Sequence, residues 1–247
     1  MVIALLTAAG TGSRMRQDAP KQFLHIHKKP IIVHTMGRFQ NNPQVDAIAV
    51  ATLPTWIDFV WTYAKQFGIT KLRWVVPGGA TGQESIQNGL DAIAAECPPE
   101  TTVMVHDGNR PMVDDDIIAD SLAVFREHGS AVAVVPCTEV IFKSDNGRNS
   151  QMELPREALW RTQTPHTYTL GKLLWAHEQA KARNITGMAA MCQLMCRLGE
   201  ITHFSKGSEK NLKLTTPDDI DIFKALLVNE KVTHYTVSHG RSNDPLR

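Results

Sequence analysis

The chain has 247 residues, with 26 Lys plus Arg against 25 Asp plus Glu. Hydrophobic residues make up 43% and charged residues 21%, ordinary for a globular protein and too apolar for a disordered one. A formal net charge of +1 argues against a broad basic face that wraps nucleic acid, and still allows a small anion held by a few local cations.

Val2 to Leu6 is a continuous apolar run that ends in a Gly-containing turn, and it reads as a buried first strand. It lacks the basic leader of a signal segment. Pro30 opens the amphipathic helix PIIVHTMGRFQ from a tolerated first-turn position. DAIAVAT reads as a buried strand, Thr55 to Phe67 as a helix and LRWVVP as a strand. Gln83 to Ala95 is a helix with Ile86, Leu90 and Ile93 near one face. TTVMVHD is a strand ending at Asp107. Asp114 to His128 is a helix opened by acidic residues that suit its positive end. SAVAVVPC follows as a strand. This alternation of helices with β-branched strands predicts an α/β fold with a mostly parallel, doubly wound sheet.

The rhythm breaks between Thr138 and Thr164, where two short extended pieces flank the turn-forming DNGRN. A protruding β-hairpin arm is expected there. Helices over Leu170 to Arg183 and Gly187 to Leu198, strands in ITHFSKG and NLKLT, and a helix from Pro217 complete the pattern. The expected organisation is one domain over residues 1–228, with its arm at about 138–164 and a polar tail over 229–247. No apolar run approaches the roughly 18 to 20 residues of a membrane span. The four cysteines are scattered, so a reducing cytoplasm is the expected setting. Cys192 and Cys196 could share a helix face, with core packing as the simpler reading. His25 and His27 read as strand residues, not as a metal site.

Four motifs carry possible chemistry. Leu6-Thr7-Ala8-Ala9-Gly10-Thr11-Gly12-Ser13-Arg14-Met15 follows the first strand, with Pro20-Lys21-Gln22 close behind. Small residues there let backbone N–H groups approach a phosphate chain, and Arg14 and Lys21 would add charge. The glycine pattern is incomplete for a dinucleotide fingerprint, and no P-loop is present. His106-Asp107-Gly108-Asn109-Arg110-Pro111 puts an Asp at the carboxyl end of a strand, where open α/β sheets bind ligands. Asp107 could hold a divalent metal bridging phosphates, and Arg110 could grip an acceptor phosphate. In Asn211-Leu212-Lys213-Leu214, Lys213 would face away from the two leucines and could neutralise a phosphoryl centre. Gly78-Gly79 allows close approach to a base, with Ser85 able to hydrogen-bond it. Each motif taken alone also reads as an ordinary turn, cap or surface cation.

Together, AAGTGSRM with PKQF, GG…S..NGL, HD..RP, QTP and NLKLTTPDD resemble the ordered motif set of the CTP-dependent cytidylyltransferases that act on polyol phosphates. The resemblance runs from about Ile3 to Leu227. It implies a Rossmann-like nucleotidyltransferase fold, a homodimer made through the arm, CTP as substrate and Mg²⁺ as cofactor. It implies that Ala8, Ala9, Gly10 and Gly12 bind CTP, with Arg14 and Lys21 on its phosphates. Gly79 and Ser85 would meet the cytosine or ribose, and Lys213 the reacting α-phosphate. Asp107 would serve the metal and substrate region, and Arg110 and Arg156 the acceptor, Arg156 across the dimer.

The chain departs from the family pattern at Gly82, where an Asp-Arg segment loses its Arg. It departs at Val140, where a hydroxyl is lost, and at Gly187, where an acidic group is lost. These positions bear on the acceptor. LW..QTP, LL..AHE and TTPDD resemble the branch acting on 2-C-methyl-D-erythritol 4-phosphate, the leading expectation. PKQF, KPIIVHT and Trp56-Ile57 resemble the ribitol 5-phosphate branch. Another wall-polymer or capsule phosphate as acceptor, or a catalytically silent nucleotide-binding paralogue, are the alternatives.

Overall fold

The computed structural model describes residues 1–10, 20–188 and 190–230. Gly12 and Arg14, and the tail beyond residue 230, lie outside the described residues. In chain order the elements are β1 (Val2–Ala8), β2 (His25–Ile26), β3 (Lys29–Pro30), α1 (Ile31–Asn41), β4 (Ala47–Thr52), α2 (Ile57–Gln66) and β5 (Leu72–Pro77). Then come α3 (Gly82–Ala94), β6 (Thr102–Asp107), α4 (Asp115–His128), β7 (Ala131–Pro136), β8 (Ile141–Lys143), β9 (Met152–Leu154) and β10 (Trp160–Thr169). The chain closes with α5 (Leu170–Ala182), α6 (Met191–Arg197), β11 (Phe204–Lys206) and α7 (Pro217–Glu230).

The main sheet has seven strands in the order β11-β7-β10-β6-β1-β4-β5. Every pairing is parallel except those of β10, which runs antiparallel to both β6 and β7. Alternation along β1 explains the two-sided burial. Ile3 and Leu5 face the core made with α3, α5 and α6. Ala4 and Leu6 face the core made with α1, α2 and α4. Both sheet faces are dry, so the strands read as continuous apolar runs. A third, smaller core joins Ile26 and Ile31 to Leu214, Ile220 and Phe223 at the start of α7.

Local chemistry sets the helix starts. Thr81, Asp114 and Thr169 each cap a helix by accepting a backbone N–H, from Glu84, Ile117 and Lys172. Asp219 accepts the N–H groups of both Thr215 and Thr216 ahead of its own helix. Gly89 exists for packing, because a Cβ there would come 2.4 Å from a Leu5 methyl.

Several expected boundaries change. Pro30 is the cap residue of α1, outside the helix. The arm is shorter than residues 138–164, since β8 and β9 form the hairpin and Trp160–Thr169 belongs to the main sheet. The polar Gln163 and Thr164 disguise that strand, whose register against β7 shifts between Thr162 and His166. The helix expected from Gly187 begins at Met191. The segment NLKLT is not a strand. Its backbone is held by side chains, as described below. The last helix reaches Glu230, past the expected boundary at 228.

Candidate active site

The order β5-β4-β1-β6 reverses direction between β1 and β6, so the crevice of the parallel sheet opens at the ends of those two strands. The loop after β1 and the Asp107–Pro111 turn after β6 therefore face each other. Gln22, 2% exposed, pins the first loop by donating from Nε2 to the carbonyls of Ala8 (2.6 Å) and Gly10 (3.0 Å). Opposite lies the Gly78–Thr81 turn. A Cβ on Gly78 would lie 2.2 Å from that of Ala9, and one on Gly79 would lie 2.2 Å from that of Glu84. The glycine pair thus lets the turn, the first loop and α3 close together. Ser85 shapes the same turn: its hydroxyl donates to the Thr81 carbonyl (2.9 Å) and accepts from Gly79 N–H (3.1 Å).

Asp107 sits at the centre. Arg110 Nε lies 2.8 Å from its Oδ2, and Lys213 Nζ lies 2.9 Å from its Oδ1. Burial alone would raise this carboxyl's pKa. The charges and hydrogen bonds of Lys213 and Arg110 outweigh burial and hold it well below the usual carboxylate range. Arg110 also donates from Nη1 to the Asn211 carbonyl at 2.7 Å. Asn109 and Leu214 are bound twice, through Leu214 N–H to Asn109 O (2.9 Å) and Asn109 Nδ2 to Leu214 O (2.5 Å). Asn211, fully buried, donates to the Thr164 carbonyl at 2.9 Å. These side-chain bonds replace the strand pairing expected for residues 211–215, and they aim Lys213 at Asp107.

Behind Asp107 a hydrogen-bonded chain is fixed in direction. His106 Nε2 lies 3.1 Å from the Arg110 carbonyl, which can only accept, so Nε2 carries the proton. His106 Nδ1 then accepts from Thr164 Oγ1 (2.9 Å), and Thr164 Oγ1 accepts from Asp107 N–H (3.1 Å). Burial lowers the pKa of His106 to about 4, and that of His166 to about 4.

These two shifts predict acid sensitivity. Each imidazole is neutral when folded but titrates near 6.5 when unfolded. Between about 6.5 and 4 the unfolded chain binds protons that the folded chain refuses, so stability is full above this window and falls as pH drops through it. The loss is roughly 3 kcal/mol per group at most. Urea midpoints measured at about pH 7.5, 5.5 and 4.5 should fall steadily, and a flat midpoint would contradict the assignment.

Two hollows meet at this cluster. One, of about 380 Å³, is lined by the first loop, Lys21, the Gly79–Gly82 turn and Ser85. The other, of about 210 Å³, is lined by Ile86, Thr162–Thr164, His166, Met191 and Gln193. Thr7, Gly82, Asp107 and Lys213 border both. The structure thus gathers Ala8, Ala9, Gly10, Lys21, Gly79, Ser85, Asp107, Arg110 and Lys213 around one crevice. Arg156 stands apart on the arm, exposed, near the Thr138 carbonyl. Gly82 has no neighbour within 4 Å of a built Cβ, so the arginine missing there leaves open space. Gln22, Thr164 and Asn211 stand in the motifs without an assigned role, and His166 follows one of them. Their signal was polarity inside otherwise apolar surroundings, visible in QTPH and in PKQF.

Two hollows joined by one cation-flanked carboxylate at a sheet switch point suit an α/β enzyme that brings two anionic ligands together. Known proteins narrow that class. The chain belongs to the 2-C-methyl-D-erythritol 4-phosphate cytidylyltransferase (IspD) family, whose model matches residues 2–229, and it is a nucleotidyltransferase that uses CTP. It is 37% identical over 230 residues to the ribitol-5-phosphate cytidylyltransferase of Lacticaseibacillus paracasei, covering 92% of this chain and 98% of that one. It is 38% identical over 227 residues to the 2-C-methyl-D-erythritol 4-phosphate cytidylyltransferase of Geotalea uraniireducens, covering 92% and 96%. The crystal structure of the 2-C-methyl-D-erythritol 4-phosphate cytidylyltransferase from Thermus thermophilus superposes with a TM-score of 0.72 at 26% identity, covering 92% and 98%. No helix among the described residues is long and apolar enough to cross a membrane.

Proposed function

We propose that the chain transfers CMP from CTP to the phosphate of a small polyol phosphate. The nucleotide occupies the larger hollow and the acceptor the smaller. The observation that carries this reading is the shared border: Lys213 and Asp107 stand between the two hollows, where a phosphate from each side would meet. An acceptor phosphate oxygen attacks the α-phosphorus in line, forming the new P–O bond as the α–β bridge breaks and pyrophosphate leaves. The attacking phosphate is already anionic, so no general base is required. Asp107, held as a carboxylate, orients cations and donates no proton. Lys213 and Lys21 neutralise charge that develops at the α-phosphate and on the leaving pyrophosphate. Arg14 is assigned the same role by its place in the motif. Ala8, Ala9, Gly10 and Gly12 supply the nucleotide-binding loop. Ser85 has given its proton to Thr81, so toward a base or ribose it can only accept. Arg110 lines the acceptor hollow and is assigned to the acceptor phosphate, while its Nε and Nη1 fix Asp107 and the Lys213 loop.

Mg²⁺ fits this site as an ion carried by the triphosphate. Among the described residues no group of three His, Cys, Asp or Glu side chains could cage a metal. One carboxylate plus substrate phosphates is an ordinary Mg²⁺ environment. Asp107 would be the protein's carboxylate for the ion, beside Lys213 and Arg110, with the remaining positions left to substrate phosphates and water. When bound, the ion supplies neutralisation of the phosphate oxygens.

The family model and the solved relative favour 2-C-methyl-D-erythritol 4-phosphate as acceptor. Relatives named for ribitol 5-phosphate, 36–37% identical, support that acceptor as the second reading. Coupled pyrophosphate release with CTP and Mg²⁺, run with each acceptor, decides between them, and a folded protein inert with both refutes the assignment.

We also propose a homodimer through the arm, in a cytoplasmic enzyme organised as one domain. Val140, Phe142, Met152 and Trp160 are 57%, 64%, 52% and 48% exposed on or beside the hairpin, a density of apolar surface that calls for a partner. Such a dimer would bring Arg156 toward the partner's acceptor hollow. Phe142→Asp is expected to yield monomers by analytical ultracentrifugation at micromolar concentration, with acceptor KM rising more than CTP KM. An unchanged sedimentation coefficient would remove the arm from the interface.

A further inference from the structure

His166 lines the smaller hollow and is 2% exposed. It pairs with Val105 of β6 and Val132 of β7, deep in the sheet. Thr167, the next residue, points to the opposite face and meets Ser121 of α4 at 2.7 Å. His166 therefore shares its face with Tyr168, on the side of α5 and α6, where Met191 and Gln193 complete the hollow. Its Nε2 has no hydrogen-bond partner. Buried polar atoms normally find partners, and one left open beside a substrate hollow calls for a hydrogen-bonding group on the ligand.

We propose that His166 is a specificity residue whose Nε2 hydrogen-bonds a hydroxyl of the acceptor. The inference rests on the reading of the smaller hollow as the acceptor site. It specifies the chemistry of what enters: a chain bearing a hydroxyl within reach of Nε2, not an apolar phosphate ester. A site built around such a hydroxyl discriminates strongly against the analogue that lacks it, because the imidazole would stay unpaired.

The test compares wild type and His166→Leu on the acceptor that supports turnover, and on its monodeoxy analogues. For wild type, one deoxy position should lower kcat/KM roughly tenfold to a hundredfold. His166→Leu should lose a similar factor on the full acceptor and nothing further on that deoxy analogue. Its CTP affinity by calorimetry should stay within about twofold of wild type. His166→Gln, whose side-chain amide can donate or accept the same bond, should recover most of the loss. Equal losses of His166→Leu on every analogue would reveal a purely structural role and overturn the proposal, while leaving the enzyme reading intact. If His166→Leu fails to fold, the wild-type deoxy series decides alone, and uniform rates across it overturn the proposal. A wild-type protein that accepts no polyol phosphate overturns both readings together.

Discussion

Lys213→Ala is expected to lower kcat/KM by about two to three orders of magnitude with the fold intact, the loss typical of removing one preorganised donor from a developing oxyanion. Lys213 Nζ is 2.9 Å from Asp107 Oδ1, and its side chain is 43% exposed at the border of both hollows. Its ion pair is partly solvated, and Arg110 still neutralises Asp107 after its removal. The stability cost should therefore stay within about 1 kcal/mol. The effect should fall mainly on kcat, because the charge that Lys213 meets develops in the transition state. Lys213→Arg should rescue little, since a planar fork beside Arg110 cannot reproduce a mobile ammonium. Steady-state kinetics with thermal melts separate these terms. A kcat/KM within about threefold of wild type would show that the cation serves only Asp107.

Arg110→Met is expected to damage stability as well as activity. Arg110 is 11% exposed against an Asp107 that is 17% exposed, and its second bond goes to the Asn211 carbonyl. Removing it strips one cation from a mostly buried carboxylate and orphans a backbone acceptor. Breaking such a pair from one side costs about 3–5 kcal/mol, and the lower end applies because Lys213 remains. The Lys213 loop loses one of its anchors, so activity should fall even though Arg110 need not touch the α-phosphate. The Asp107 pKa should rise, weakening the stability that this carboxylate contributes above about pH 4 and loses as pH falls further. Urea denaturation reports the first effect, and pH-dependent midpoints report the second. If Arg110→Met melts like wild type but loses acceptor binding, Arg110 contacts the acceptor directly.

The contrast between these two cations shows how far sequence reading could go. Both were legible as members of short motifs, HDGNRP and NLKLTT, and both were assigned to phosphates. The structure puts Lys213 at the border of both hollows and Arg110 on the wall of the smaller one, with its Nε and Nη1 already bonded. The difference comes from Asn211, whose carbonyl takes the guanidinium and whose side chain is fixed by Thr164. No local pattern around Arg110 encodes a partner 101 residues away. The strand Trp160–Thr169 was hidden for a related reason. It carries Gln163, Thr164 and His166 where a buried strand normally carries apolar residues, because its middle lines the hollow. Ser85 was legible as a polar group near the glycine pair, but its proton proved committed to Thr81.

The parallel α/β scaffold was legible in the sequence, since short apolar runs such as VIALL and AIAVA, alternating with amphipathic helical segments, suit strands buried on both faces. The sequence also determined the order of the motifs at the strand ends, and with them the chemistry of a nucleotide and a phosphate ester. The near-even balance of 26 cations and 25 anions said nothing of where charge would gather. Tertiary structure alone decided which cations meet Asp107, which hydroxyls and imidazoles are spent inside the wall, and which ring nitrogen is left without a partner. Those outcomes depend on distances between segments far apart in the chain, and burial makes each such distance count, because an unpaired polar group away from water is costly.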